Sequence, residues 1–94
     1  MAHAFVMDFA GGTLDQYDEV ISRMGFTPNG AGAPGALFHW AAKSDDGLRV
    51  VDVWETPEAF NNFADTQIGP ITAAVGIEPP VVTAYEVHNT LTAP

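Results

Sequence analysis

The apolar residues of this chain change their period along its length, and the order of these periods limits the possible fold more than any other sequence feature. Residues 4–9 alternate large apolar side chains with smaller or polar ones, a two-residue period that predicts a strand. From Leu14 to Met24 apolar residues recur at helical spacing. Thr13 and Gln16 have the spacing of a capping box, which predicts the start of that helix.

A second set of elements follows in the same way. Residues 36–43 and 48–55 predict two strands joined by a Ser-Asp-Asp-Gly turn. The Thr-Pro-Glu segment at 56–58 predicts a second helix, because a hydroxyl cap, an early proline and an acidic side chain all favour a helix start. Pro70 lacks an amide hydrogen and is expected to kink or break this helix. Residues 81–88 predict the last strand.

The resulting order of strand, helix, strand, strand, helix and strand predicts one architecture. Short connections and right-handed crossovers favour a four-stranded antiparallel sheet with both helices on one face, the ferredoxin-like α+β fold. With 94 residues, the chain is expected to form a single domain over residues 1–94. The connection at residues 26–35 is long and rich in Gly, Pro and Asn, which indicates either a lid or a slack loop.

Two helices leave the opposite face of such a sheet uncovered. A bare face containing Trp40 or Trp54 would be an apolar patch larger than monomeric proteins usually expose. We therefore expect a homodimer in which two sheets bury each other's open face around a central cavity, giving a dimeric α/β barrel.

Composition argues against several partners and chemistries. The net charge is −9, with 12 acidic side chains against three Lys and Arg, so we expect no nucleic-acid partner and no binding to an anionic membrane. The absence of cysteine excludes disulfides, thiolate-bound metals and a thiol nucleophile. The first residues lack the basic region of a signal peptide, and no apolar run approaches the roughly 20 residues of a membrane span. The expected location is the cytoplasm.

The segment 51–60, Val-Asp-Val-Trp-Glu-Thr-Pro-Glu-Ala-Phe, places a Trp-Glu pair at a strand end before a capped helix. In this segment, and in its element order over nearly the whole chain, the sequence resembles the dimeric α/β-barrel proteins of the antibiotic biosynthesis monooxygenase type. That superfamily includes cofactor-free monooxygenases that oxidise aromatic polyketides, polyketide cyclases and haem-degrading enzymes. Many of the monooxygenases carry a histidine four residues after the helix alanine, and the matching position here is Phe63.

Pairing across the predicted hairpin selects candidate site residues. With residues 44–47 as the turn, His39 faces Asp52, and Leu37 faces Trp54. His39, Asp52 and Trp54 then share one face of the sheet, which we expect to line the cavity between the subunits. The opposite face of the hairpin is expected to lie beneath the helices, and its apolar residues are Phe38, Trp40, Val51 and Val53.

His39 and Asp52 are the candidate catalytic residues. A carboxylate holds an imidazole in one tautomer and makes it a better base, so the pair could remove a proton from a phenol or from carbon next to a carbonyl. The alternative is that His39 is a histidine that is only hydrogen-bonded within the dimer core.

Four further residues are candidates for substrate binding. Trp54 is expected to stack on a flat aromatic substrate. Asn61 flanks the apolar stripe of the second helix, and Glu86 and His88 share a face of the last strand that we assign to the cavity. Tyr17 and Tyr85 are interpreted as core aromatic residues between the sheet and the helices.

No metal site and no other cofactor is predicted. The histidines and carboxylates are suitable ligand types, but they lie on separate strands without motif spacing. The leading hypothesis is a homodimeric, cofactor-independent monooxygenase of secondary metabolism that acts on an aromatic or polyketide-type small molecule. The alternatives are a polyketide cyclase or isomerase, which would use the same base without O₂, and a small-molecule-binding or stress-associated barrel protein without catalysis.

Overall fold

A computed structural model describes all 94 residues and contains four strands, three α-helices and one π-helical segment. In chain order these elements are β1 (His3–Ala10), α1 (Leu14–Met24), β2 (Ala36–Lys43), β3 (Gly47–Trp54), α2 (Pro57–Phe63), the π-helical segment (Ala64–Ile68), α3 (Gly69–Ala74) and β4 (Val81–Glu86). The strands form one antiparallel sheet in the order β2-β3-β1-β4. The predicted ferredoxin-like α+β fold is confirmed.

Helix α1 begins at the capping box that the sequence predicts. The Thr13 hydroxyl accepts a hydrogen bond from the Gln16 amide at 3.1 Å, and the Gln16 side chain accepts one from the Thr13 amide at 3.1 Å. At the other end Gly25 adopts a φ of 86°, and its amide bonds back to Ile21 and Ser22. This left-handed conformation ends the helix and is accessible to glycine at little cost.

Pro70 does not break the second helix. Helix α2 passes directly into the π-helical segment and then into α3. The Gly69 amide donates to the carbonyl of Ala64, five residues earlier, so the chain passes Pro70 through one widened turn. The Thr72 hydroxyl then donates to the Ile68 carbonyl at 2.6 Å. The expected interruption therefore takes the form of a change in helix type.

The helices cover the sheet face that carries the large apolar side chains of β1. Phe5, Met7 and Phe9 alternate along this strand and are at most 5% exposed. The ring of Phe5 stacks on Phe60 of α2 at a centroid distance of 3.8 Å. The core is completed by buried residues from β3, α1, the π-helical segment and the segment before β4, namely Val20, Leu48, Val50, Trp54, Ile68 and Ile77.

His39, Asp52 and Trp54 also lie on this helix-covered face. Their shared face and the pairing of His39 with Asp52 are confirmed. The assignment of that face to a surface between subunits is wrong. The pairing of Leu37 with Trp54 is also wrong, because an irregularity between Ala36 and Phe38 brings Ala36 opposite Trp54.

The other face of the sheet is open, and it carries the apolar set that we expected beneath the helices. Phe38 is 64% exposed and Trp40 is 42% exposed, and Tyr85, interpreted from the sequence as a core residue, is 57% exposed. Both faces of the hairpin are apolar, so alternation alone cannot decide which one the helices cover. The large residues of β1 decide it, because β1 lies beside β3 and presents them all to the helices.

The turn between β2 and β3 depends on a glycine. A Cβ atom at Gly47 would overlap the carbonyl oxygen of Phe9 and the amide nitrogens of Gly11 and Gly12, all of which are backbone atoms. We expect Gly47→Ala to lower the free energy of unfolding by about 2–4 kcal/mol. The matched control is Gly32→Ala, where no atom lies within 4 Å, and its expected effect is within about 0.5 kcal/mol. Urea unfolding measures both, and equal midpoints would contradict the prediction.

Candidate functional site

A cavity of about 1190 Å³ lies between helix α1, the strands β2 and β3 and the loop that connects α1 to β2. Residues 26–33 of this loop all line it, so the segment predicted as a lid or a slack loop forms one of its walls. Of the 30 lining residues, 20 are hydrophobic, which suits a largely apolar ligand. The cavity lies within one chain, because the face that carries His39 is covered by the helices of the same chain.

A row of hydrogen-bonded side chains crosses the sheet side of this cavity. His39 Nδ1 on β2 lies 2.5 Å from Asp52 Oδ1 on β3, and the predicted contact between them is confirmed. On its other side, His39 Nε2 lies 2.5 Å from the hydroxyl oxygen of Tyr17 on α1. The Trp54 indole Nε1 donates to the second Asp52 oxygen at 3.1 Å. We call Tyr17, His39, Asp52 and Trp54 the polar row.

The direction of each hydrogen bond follows from the chemistry of its partners. The side chain of Asp52 is 6% exposed, and its carboxylate can only accept, so His39 Nδ1 carries the proton and donates to it. The Nε2 atom of neutral His39 is then an acceptor, and the Tyr17 hydroxyl donates to it. Both nitrogens of the imidazole are therefore engaged within the row, whereas the Tyr17 oxygen keeps acceptor capacity for a ligand.

Tyr17 is held as a neutral donor by its surroundings. Burial raises the pKa of its hydroxyl, and the negative charges of Asp52 and Asp18 raise that pKa further. The interpretation of Tyr17 as a core aromatic residue missed this role. Tyr17 is the one residue with a hydroxyl group on the otherwise aliphatic stripe of α1. Since the hydroxyl of a buried tyrosine usually has a hydrogen-bond partner, this residue could have indicated a polar contact.

Trp54 does not offer the open ring that stacking on a substrate requires. It is 2% exposed and packs against Phe60 at a centroid distance of 6.2 Å and against Phe63 at 5.2 Å. Its observed polar contact is the bond to Asp52. Trp54 therefore orients the carboxylate, and the expected stacking platform is not present at this position.

The other three predicted binding residues lie outside the cavity. Asn61 is exposed on α2, Glu86 is exposed on β4 opposite His3, and His88 is exposed after the end of β4. Strand β4 forms the sheet edge opposite to β2, and β3 and β1 lie between them. The topology therefore separates Glu86 and His88 from His39.

Phe63 occupies the position at which the resemblance implies a histidine. It lines the cavity, and its ring also lies 6.4 Å from that of Phe26 at the start of the connecting loop. The imidazole in this chain instead comes from His39 on β2. No group of three or more His, Asp or Glu side chains is placed to hold a metal ion. None of the helices combines the length and apolar character needed to cross a membrane.

Comparisons with solved structures identify the fold. A proposed antibiotic biosynthesis monooxygenase from Chloroflexus aurantiacus matches with a TM-score of 0.66 and 15% identity, covering 98% of each chain. SnoaB, a cofactor-independent oxygenase from Streptomyces nogalater, matches with a TM-score of 0.63 and 23% identity, also covering 98% of each chain. A monooxygenase from Streptomyces coelicolor, solved with the ligand Nanaomycin D, matches with a TM-score of 0.56 and 20% identity. The match covers 99% of this chain and 92% of the other.

These similarities are structural. No protein-family model matches the sequence, and no curated protein does. At identities below 25% the matches show the fold alone, which is that of antibiotic biosynthesis monooxygenase-like proteins over nearly the whole chain. The fold implied by the sequence resemblance is thus confirmed, and the structural neighbours include cofactor-independent oxygenases and monooxygenases.

The raised pKa of Tyr17 gives a direct test of the polar row. In a Tyr85→Phe background Tyr17 is the remaining tyrosine, so the ultraviolet absorbance of phenolate reports its ionisation alone. We expect a midpoint above the ordinary value of 10.0, and a lower midpoint when Asp52→Asn removes one of the raising charges. Asp15→Asn, on the same helix but outside the cavity, is the matched control and leaves the midpoint unchanged.

The same shift affects stability at high pH. As the pH rises, Tyr17 ionises in the unfolded chain before it ionises in the folded protein, because its pKa is higher in the folded state. The stability that Tyr17 contributes through this difference is therefore complete below about pH 10 and is lost as the pH rises through the folded pKa. Tyr17→Phe therefore makes the free energy of unfolding fall less steeply with pH in this range.

For the absorbance titration, a midpoint of Tyr17 ionisation that does not change in Asp52→Asn would contradict the contact of Tyr17 with the polar row.

Proposed function

We propose that the protein is a cofactor-independent monooxygenase that removes a proton from an aromatic or polyketide-type small molecule, whose anion then reacts with O₂. The observation that carries this proposal is the hydrogen-bonded series Tyr17, His39 and Asp52 within the polar row, at the wall of an apolar cavity. The fold shared with a cofactor-independent oxygenase supports the same reaction class.

The row provides a path for the proton. A phenol or enol of the substrate donates a hydrogen bond to the Tyr17 oxygen. As Tyr17 passes its proton to His39 Nε2, it receives the substrate proton, so no phenolate forms on Tyr17. The product of this step is a substrate anion beside an imidazolium that Asp52 stabilises through Nδ1.

The oxidation then needs only the anion and O₂. One electron passes from the anion to O₂, and the resulting radical and superoxide combine to form a carbon–oxygen bond. The peroxide takes the proton from His39, and loss of water leaves a carbonyl group. In sum a CH₂ group and O₂ become C=O and H₂O, and the polar row returns to its starting state. Two-thirds of the residues that line the cavity are hydrophobic, and they limit the water around the reactive anion.

A homodimer that forms through the open face is part of the same proposal. The open face carries exposed Phe38, Trp40 and Tyr85, an apolar surface that a second copy of the sheet would bury. The polar row lies on the opposite face, whereas the cavity also reaches Phe38 and Trp40 at the β2 edge, so its rim borders the proposed interface. The dimer in this form is a dimeric α/β barrel whose subunits each hold one site.

Oxygen uptake tests the reaction. With an anthrone as substrate, we expect His39→Ala and Tyr17→Phe each to lower the initial rate of O₂ consumption by about 10²-fold or more. His3→Gln, which replaces a histidine outside the cavity, is the matched control and leaves the rate unchanged. Far-ultraviolet circular dichroism verifies that each variant is folded.

Two results would contradict the proposal. One is O₂ consumption by the wild-type protein that does not exceed that of buffer, or that His39→Ala does not reduce. The other is a product of unchanged mass formed without O₂, which mass spectrometry detects and which indicates a cyclase or isomerase.

Sedimentation tests the dimer. Val51 lies at the centre of the open face, between Val6 and Trp40 in the strand register. We expect wild-type protein to sediment as a dimer at micromolar concentration and Val51→Lys to sediment as a folded monomer, because burying an unpaired ammonium group is strongly unfavourable. Leu91→Lys, in the exposed C-terminal segment, adds the same charge and leaves the dimer intact. A monomeric wild-type protein would refute this interface.

A further inference from the structure

The charges around the cavity restrict the ligands that it can bind. We propose that the cavity accepts an uncharged aromatic substrate and rejects one with a free carboxylate, so that any carboxyl group on the substrate is present as an ester, lactone or amide. This inference rests on the proposed function only in taking the cavity as the substrate site.

The cavity lining contains negative charge and no cationic side chain that could balance an acid. Its titratable groups are Tyr17, Asp18, His39 and Asp52, and no Lys or Arg is among the lining residues. Asp52 is already paired within the polar row, and Asp18 adds a second negative charge on α1. A ligand carboxylate would therefore meet like charges and no counterion.

The three cationic side chains of the chain are all placed elsewhere. Arg23 pairs with Glu19 along the outside of α1 at 2.8 Å. Arg49 pairs with Asp8 on the open face at 2.7 Å, on the other side of the sheet from the polar row.

Lys43 is the third cation, and it is also remote from the polar row. It lines a separate depression of about 480 Å³ beside the hairpin turn, together with Asp45 and Asp46. It lies four positions after His39 on β2, so their Cα atoms are roughly 13 Å apart at 3.3 Å per residue. Lys43 is also absent from the residues that line the cavity, so it is not placed to pair with a carboxylate beside His39.

The proposed reaction itself produces one negative charge in this cavity. The proton removed from the substrate remains on His39, so the substrate anion and the imidazolium balance each other. A second negative charge on the substrate would have no partner. In an apolar cavity, such an unpaired carboxylate loses its hydration without compensation.

A matched pair of ligands tests the inference. Anthraquinone-2-carboxamide and anthraquinone-2-carboxylate have nearly the same shape, and both are polar, but only the second is charged at mildly alkaline pH. We expect isothermal titration calorimetry with the wild-type protein at low salt to show at least about tenfold tighter binding of the carboxamide. Equal affinities, tighter binding of the carboxylate, or no binding of either ligand would overturn the inference.

Two variants assign the effect to the cavity. Asp18→Asn removes a lining charge and is expected to tighten carboxylate binding about threefold while leaving carboxamide binding unchanged. Asp15→Asn makes the same change in net charge outside the cavity and is expected to leave both affinities within about twofold. Equal effects of the two variants would attribute the discrimination to the overall charge of −9 and overturn the role of the cavity.

The calorimetry is independent of catalysis, so the two proposals can fail separately. Tight binding of the carboxamide without O₂ consumption on an anthrone refutes the monooxygenase and supports the neutral binding site. O₂ consumption with a carboxylate-bearing anthrone at the same KM as its amide supports the monooxygenase and refutes the neutral binding site.

Discussion

A carboxylate that is removed from water must be given hydrogen-bond donors, and the arrangement of this site depends on that requirement at Asp52. Trp54, two residues along the same strand, supplies one donor, and His39 on the neighbouring strand supplies the other. Because Nδ1 of His39 donates to Asp52, Nε2 points away from that carboxylate. The hydroxyl of Tyr17 lies on this other side and contacts Nε2. The polar row therefore links α1 to the hairpin, and no buried polar side-chain atom lacks a partner.

The parts of this arrangement that depend on local sequence could be predicted. Turn residues at 44–47 set the register that places His39 opposite Asp52, and the capping residues set where the helices begin. Which side of the sheet is covered could not be predicted from the hairpin, because both of its faces are apolar. That choice depends on how the side chains of β1 pack against the helices. The partner of His39 on α1 could not be predicted either, because it depends on how the helix lies on the sheet.

The two faces of the sheet have separate roles in the proposed molecule. One face and its helices carry the polar row and most of the cavity, and the other presents an apolar surface for a second copy, with Phe38 and Trp40 at the β2 edge bordering both. The four side chains of the polar row all come from one chain. Association would then contribute stability to a small domain, since a chain of this length buries only about two-thirds of its extended surface by itself.

The π-helical segment between α2 and α3 has a consequence for the shape of the cavity. A turn closed by a bond across five residues holds one residue more than an α-helical turn, and each residue of an α-helix rotates the chain by roughly 100°. Ile68 lies within this segment and Thr72 follows it, and both line the cavity, so the extra residue helps to set their orientation. Deleting a single residue within 64–67 would rotate the following helix and reshape one wall without removing any lining side chain. Backbone length, as well as side-chain identity, thus shapes this wall of the cavity.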